Sequence, residues 1–108
     1  MATRPETAAH LLDLLADAGP LTAKRMFGEY GLYLGDRMVA VICDDQLFLK
    51  PTPGAVALLP DAELAPPFSR AKPYLLVTDA LDDPDVLCRA LRIVAAELPP
   101  PKPKKKAR

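Results

Sequence analysis

The sequence predicts an α+β domain in which an antiparallel sheet is flanked by helices near both ends of the chain. Residues 24–50 contain four short apolar runs separated by two-residue turns, and the segments on either side repeat apolar residues at helical spacing. Strands this close in sequence pair antiparallel, because a parallel pair needs a crossover of about a dozen residues. With one later strand, the predicted order is α-β-β-β-β-α-β-α, and the sheet is of the meander type with about five strands.

The first helix is predicted over residues 4–18. Thr3 and Glu6 have the spacing of a capping box, in which a hydroxyl and a carboxylate bind free amides of the first turn. Gly19 and Pro20 end the helix, because Gly accepts a left-handed conformation and Pro cannot continue the helix. One buried stripe is expected from Ala8, Leu11, Leu12, Leu15 and Ala18.

Tight turns separate the strands. Gly28-Glu29, Gly35-Asp36 and Asp44-Asp45 are the turn residues, since Gly takes the positive φ of a hairpin turn and Asp makes local hydrogen bonds there. The strands are predicted over residues 24–27, 30–34, 38–43 and 46–50, and a fifth is predicted over residues 74–78.

Residues 38–43 form the strongest predicted strand, and both of its faces are apolar. Strict alternation divides its side chains into two sets, Met38, Ala40 and Ile42 against Val39, Val41 and Cys43. A sheet with one face in water would show a polar face, so this strand is expected to be central and covered on both sides. Helices cover one face. The other is covered either by the loop of residues 60–73 or by a partner chain, and the second alternative motivates a hypothesis of homodimerisation.

The remaining segments combine helix and loop signals. Thr52 is a candidate cap for a short helix over residues 54–59, and four prolines predict an irregular loop over residues 60–73. Asp83 is the predicted cap of the last helix, with Pro84 at its first position, where the missing N–H costs nothing. The apolar stripe of this helix is Leu87, Leu91, Val94 and Leu98, while Arg89, Arg92 and Glu97 are expected to point outward.

The formal net charge of zero conceals an uneven distribution. Five of the fourteen basic residues lie in residues 99–108, so residues 1–98 carry nine basic against fourteen acidic residues. The chain is therefore divided into a domain over residues 1–98 and a disordered, Pro- and Lys-rich basic tail over residues 99–108. The acidic domain argues against a large basic surface for nucleic acid on the fold itself.

The basic tail has two interpretations that the sequence leaves open. It is either a solvated extension that aids solubility or a weak, non-specific contact for nucleic-acid phosphates. For the second, the candidate residues are the tail cations and three basic residues of the domain: Lys102, Lys104, Lys105, Lys106 and Arg108, with Lys24, Arg25 and Arg37.

Neither catalytic nor cofactor chemistry is predicted. His10 is the one histidine and is expected on the surface, so no Ser-His-Asp or Cys-His arrangement can be argued. Cys43 and Cys88 match no zinc or redox spacing and are expected to be buried thiols. No metal site, no cofactor and no enzymatic activity are expected. The N-terminal residues lack the apolar core of a signal peptide and no segment suits a membrane span, so a cytoplasmic location is expected.

The block from residue 25 to residue 50 resembles a known family. The matching pieces are Arg25-Met26-Phe27-Gly28, Tyr30-Gly31-Leu32-Tyr33 and Asp45 with Leu47-Phe48-Leu49-Lys50, followed by Pro67-Phe68 and by Leu81-Asp82-Asp83-Pro84-Asp85 with Leu87. They are similar to the N-terminal domain of the TfoX (Sxy) family, bacterial proteins linked to the regulation of natural competence. The resemblance implies a curved antiparallel sheet flanked by helices, in which these motif residues are structural.

The resemblance also implies a function. It is that of a small, non-catalytic interaction domain that acts in transcriptional, competence-type regulation through protein contacts, so a protein partner of unknown identity is expected. The alternative is a nucleic-acid-associated protein that binds weakly through its basic tail. A third class, an enzyme or small-ligand binder, requires a pocket with converging polar groups.

Overall fold

The computed structural model describes residues 4–26, 29–67, 71–77 and 83–98, and it confirms the predicted α+β class. Among the described residues, none of the helices has the length and apolarity that a membrane crossing requires. The helices are α1 (Pro5–Leu14), α2 (Pro53–Leu58) and α3 (Pro84–Glu97), and a 3₁₀ turn (Ala16–Ala18) follows α1. The strands are β1 (Leu21–Met26), β2 (Glu29–Leu34), β3 (Arg37–Cys43), β4 (Gln46–Leu49), β5 (Glu63–Ala65) and β6 (Tyr74–Leu76).

The strands form one antiparallel sheet in the order β1-β2-β3-β4-β6-β5. The predicted meander is the run from β1 to β4, and β1 begins at Leu21, earlier than predicted, because Leu21 pairs with Leu34. The expected irregular loop over residues 60–73 contains β5, which pairs with β6 at the edge of the sheet. The run that forms β5 is short, begins with a charged residue and lies between prolines, so it fits a loop as well as a strand, which explains the difference.

All three helices pack on one face of the sheet, here called the inner face. The predicted stripes of α1 and α3 supply its buried side chains, including Leu11, Leu15, Leu87 and Leu91. They meet inward-facing strand residues that are also fully buried. Burial of apolar side chains at roughly 25 cal/mol per Å² makes this cluster the main stabilising feature of the domain. The strands contribute Tyr30, Leu32, Val39, Ala40, Ile42, Leu47, Leu49 and Leu75, and Val77 joins them directly after the end of β6.

A second apolar cluster lies on the opposite, outer face of the sheet. Val41, Cys43 and Phe48 are its buried members, and the half-buried Met38, Ala65, Tyr74 and Leu76 pack against them. Every described member of this cluster belongs to a strand. The sheet therefore has two apolar faces, and β3 is buried on both of them, as predicted, although the described helices pack on only one.

A β-bulge at Val39 corrects the predicted alternation of β3. Leu32 pairs with Ala40 and Tyr33 with Met38, so Val39 has no partner on β2. The extra residue rotates the strand, and Met38 joins the outer cluster while Val39 joins the inner one. The prediction is right from Ala40 to Cys43 and wrong at Met38 and Val39, because register depends on the neighbouring strand and not on β3 alone.

The start of α1 is capped from the turn between β3 and β4. The Oδ1 atom of Asp45 accepts hydrogen bonds from the Arg4 amide at 3.0 Å and from the Thr7 hydroxyl at 2.7 Å. Its other carboxylate oxygen lies 3.4 Å from Arg4 Nε. Asp45 therefore holds the first turn of α1 against the sheet. Thr3 of the predicted capping box lies outside the described residues.

These contacts make stability depend on pH. The Arg4 amide and then the Thr7 hydroxyl lower the pKa of Asp45 from its ordinary 3.8, so the charged carboxylate stabilises the fold above that value. The contribution is lost as pH falls through the lower pKa of the folded state. Asp45→Asn should be less stable than the parent at about pH 7, and the difference should shrink at about pH 2.5. Urea unfolding at both pH values measures it, and an equal difference at both would contradict this role.

The N-terminus of α2 is capped by α3. Glu97 is exposed, as predicted, and its Oε1 atom also accepts a hydrogen bond from the Gly54 amide at 2.8 Å. The predicted cap, Thr52, makes no side-chain bond to the helix, and its hydroxyl is buried without a partner among the described residues. At the last helix the prediction is confirmed, because Asp83 Oδ1 accepts from the Val86 amide at 3.4 Å.

Candidate functional site

The outer face is the candidate site because it is apolar and the described helices all pack on the opposite face of the sheet. Its central side chains, Val41, Cys43 and Phe48, are 2–4% exposed. Around them Tyr33, Met38, Tyr74 and Leu76 keep part of their surface accessible. The face thus combines a closed centre with a partly open apolar border.

Strand register places a cation and a carboxylate at opposite edges of this face. Lys24 on β1 pairs with Gly31, and Glu63 on β5 pairs with Leu76. The pairings of the inner strands join these two ends into one continuous line across the sheet. We call this line the cross-sheet row, and it consists of Lys24, Gly31, Val41, Phe48, Leu76 and Glu63.

Both charged ends of the cross-sheet row are exposed. Lys24 lies with its ammonium nitrogen 4.8 Å from the centre of the Tyr33 ring, a cation–π contact that holds the side chain over the outer face. Neither Lys24 nor Glu63 forms an ion pair within the described part of the chain. Each end is therefore open to a partner of opposite charge.

The two titratable groups near the centre are neutral at physiological pH. Burial, assisted by the negative charges of Glu29 and Asp44, raises the pKa of Cys43 to about 11. Burial, assisted by nearby Cys43, also raises the pKa of Tyr74. A thiol with this pKa is a poor nucleophile at neutral pH, so Cys43 is a packing residue. Cys88 is buried as predicted, and its pKa is raised chiefly by burial.

The domain residues predicted to bind nucleic acid do not share one surface. Lys24 and Arg25 are adjacent on β1, so they point to opposite faces, and Arg25 lies over the Tyr30 ring at 5.7 Å. Arg37 is half-buried and donates from Nη1 to the Ala95 carbonyl at 3.0 Å. The tail cations Lys102, Lys104, Lys105, Lys106 and Arg108 lie outside the described residues.

The motif residues of the sequence resemblance lie in the sheet. Leu32 and Leu49 are fully buried on the inner face, Gly31 is buried on the outer face, and Lys50 follows the end of β4. Arg25 and Met26 end β1, and Phe27 and Gly28 lie outside the described residues. These positions form the β1–β4 meander. In the described ranges, no three His, Cys, Asp or Glu side chains converge in a way that could hold a metal ion.

Two cavities lined by residues that the structure describes adjoin the sheet. The smaller, about 270 Å³, lies beside the start of α1 and is lined by Thr7, His10 and the paired Arg4 and Asp45. The larger, about 430 Å³, lies beyond the end of β4 and contains Lys50 and Lys72. Sequence reasoning assigned no role to either, since their walls come from segments far apart in the chain.

Comparison with known families decides the classification. The TfoX N-terminal domain model matches residues 13–97 of this chain. The chain belongs to the TfoX N-terminal domain family. A relative from Spirochaeta aurantia, named "Uncharacterized 12.7 kDa protein in trpE 5'region", is 37% identical over 108 aligned residues, covering 97% of this chain and 91% of the relative. The predicted TfoX resemblance is confirmed, and the relative's name assigns no activity.

Glu63 is the charged residue of the cross-sheet row that sequence reasoning did not identify. It lies on β5, within the segment predicted to be a loop, so nothing placed it on a face of the TfoX-type sheet. The available signal was the short run of Glu63, Leu64 and Ala65 between prolines. That signal is weak, because three residues fit a strand and a loop equally well.

Proposed function

We propose that this domain is a non-catalytic interaction module that acts in the cytoplasm, in transcriptional, competence-type regulation, through protein contacts. Membership of the TfoX N-terminal domain family supports the assignment of the chain as a small domain of the TfoX type. The proposal rests on the outer face of the sheet. This face is apolar, and all the described helices pack on the other side of the sheet. Partly exposed apolar surface bordered by charged groups is typical of protein-binding sites.

The partner that best fits the outer face is a second copy of the chain. Two sheets can pack face to face about a two-fold axis that lies between them and runs parallel to the strands. The axis reverses the strand order, so β1 of one copy lies over β5 of the other. Lys24 and Glu63 belong to the same cross-sheet row, and each therefore faces its opposite charge on the other copy. A two-fold interface uses one patch twice, and this row is complementary to itself.

Light scattering of the full chain at high micromolar concentration tests this proposal. The parent is expected to show twice the monomer mass. Either single variant, Lys24→Glu or Glu63→Lys, should lower the measured mass toward that of the monomer, because like charges then face each other at both ends of the cross-sheet row. The double variant, Lys24→Glu with Glu63→Lys, exchanges the charges and should restore the dimer. Arg89→Glu, on the exposed side of α3, is the matched control. A monomeric parent, or single variants that still dimerise, would remove the proposal.

Weak nucleic-acid binding is the second candidate function, and the five cations of residues 99–108 favour it. If all five meet phosphates, the logarithm of affinity should fall with the logarithm of salt concentration with a slope near −4 or −5 on duplex DNA. Binding should vanish on deletion of residues 99–108. Equal binding by the truncated chain, or none by the intact chain at low salt, would exclude this candidate.

A further inference from the structure

The larger cavity brings two lysines together at one end of the sheet. Its walls come from the chain after β4, from the residues that lead into β6, and from the end of α3. These segments are distant in sequence, so only the fold assembles them. The lining residues are Lys50, Pro51, Thr52, Lys72, Pro73, Tyr74 and Leu98.

Neither lysine has an acidic partner among the described residues. Lys72 is exposed, whereas Lys50 is only partly exposed, and its burial lowers its pKa because the charged form loses hydration. A desolvated cation without a counter-charge is unfavourable, and an anion placed between the two lysines would offset that cost. The smaller cavity does not offer uncompensated positive charge in this way, because the charges of Arg4 and Asp45 neutralise each other in an ion pair.

The rest of the cavity wall is largely carbon. Pro51, Pro73 and Leu98 contribute aliphatic surface, and Tyr74 contributes an aromatic ring. Inorganic phosphate would leave these groups without contacts. A ligand with a flat apolar part and one negative group would use both the wall and the lysines, which is the combination typical of small-molecule sites.

We propose that this cavity binds a small organic anion, a carboxylate attached to an apolar group, with Lys50 and Lys72 as its charge partners. The volume of about 430 Å³ lies within the usual range of ligand pockets of about 300–1,000 Å³. This site is separate from the Lys24–Glu63 contact proposed for dimerisation. The two proposals share Tyr74, which borders the outer face and the cavity, but neither depends on the other.

Nuclear magnetic resonance titration of the full ¹⁵N-labelled chain tests the site with three probes: sodium benzoate, uncharged benzyl alcohol and inorganic phosphate. Benzoate should shift the amide resonances of the cavity-lining residues at millimolar concentration and bind more tightly than either other probe. Lys50→Met and Lys72→Met keep an apolar stem without the charge, and each should weaken benzoate binding about tenfold, the typical effect of losing a charged hydrogen bond. Arg89→Met, which removes an exposed cation of α3, should leave the affinity unchanged.

Several outcomes would overturn the proposal. Benzyl alcohol binding as tightly as benzoate would show that charge is not recognised, and phosphate binding as tightly would show that the apolar wall is not used. Unchanged benzoate affinity in both lysine variants would remove the assigned residues. If Lys50→Met fails to fold, which its amide spectrum reveals, Lys72→Met decides the test, because Lys72 is exposed. The oligomeric state in the same samples is read separately, so failure of this site and failure of the dimer are distinguishable.

Discussion

Replacement of Phe48 by alanine is expected to lower the free energy of unfolding by about 3–5 kcal/mol. Phe48 is 4% exposed and lies at the centre of the outer cluster, beside Val41 and Cys43. Truncation removes the transfer free energy of the ring and leaves a space that the strands cannot close. The expected loss is as large as for an inner-face leucine, although no described helix covers Phe48.

Leu64→Ala is the matched control for Phe48→Ala. Leu64 lies on the edge strand β5 and is 58% exposed, so its truncation should change the free energy of unfolding by no more than about 0.5 kcal/mol. Urea unfolding of both variants and the parent at one protein concentration provides the comparison. A loss below about 1 kcal/mol for Phe48→Ala would mean that the outer cluster is loosely packed and contributes little to the fold.

Gly54→Ala is expected to destabilise the domain by about 1–3 kcal/mol through overpacking. A methyl group at this position would lie 2.6 Å from Cγ2 of Ile93 and 2.6 Å from Oε2 of Glu97. The β-branched Ile93 has little rotamer freedom in a helix, and movement of Glu97 would disturb its bond to the Gly54 amide. Helix propensity alone predicts the opposite sign, since alanine is favoured over glycine by about 1 kcal/mol.

A double-mutant cycle identifies the cause of the Gly54→Ala effect. In an Ile93→Ala background the Cγ2 atom is absent, so Gly54→Ala should cost markedly less than in the parent. Thermal or urea unfolding of the four proteins yields the coupling free energy. Stabilisation by Gly54→Ala in the parent, or equal costs in both backgrounds, would contradict the close approach of α2 and α3.

Two of the three predicted turns of the meander could be recognised because their causes are local, whereas Glu29, predicted as a turn residue, lies in β2 and pairs with Met26. Gly35 has the expected positive φ of 64°, and Asp44 and Asp45 have φ values of 53° and 61°, as two-residue hairpin turns require. The stripes of α1 and α3 and the Asp83 cap follow from helical spacing and cap chemistry in the same way. The fold class rests on these features.

The features that could not be predicted depend on residues far apart in sequence. Asp45 caps α1 across 41 residues, and Glu97 caps α2 across 43 residues. The bulge at Val39 arises from the register in which β3 pairs with β2, which leaves Val39 without a partner on that strand. β5 is a strand only because β6 lies beside it. Neither cap can be recognised before the tertiary contacts are known.

The candidate site shows the same division between local and distant causes. The separation of Lys24 and Arg25 follows from strand periodicity alone and is predictable once β1 is placed. The cross-sheet row needs the register of six strands, and the meeting of Lys50 with Lys72 needs the packing of three separate segments. The motif residues were sufficient to identify the family. The cross-sheet row and the lysine-lined cavity could be recognised only once the fold was known.

Zero-length carbodiimide cross-linking tests the self-complementary outer face most directly. A sample mixed from unlabelled and ¹⁵N-labelled full chain, at high micromolar concentration, is coupled and digested, and the peptides are weighed by mass spectrometry. When the two forms are mixed in equal amounts, we expect a Lys24–Glu63 amide in which half of the linked peptide pairs carry one labelled and one unlabelled partner, since the link joins two copies. Absence of that link, or its occurrence only between peptides of the same isotope, would show that Lys24 and Glu63 do not meet across a dimer of this chain.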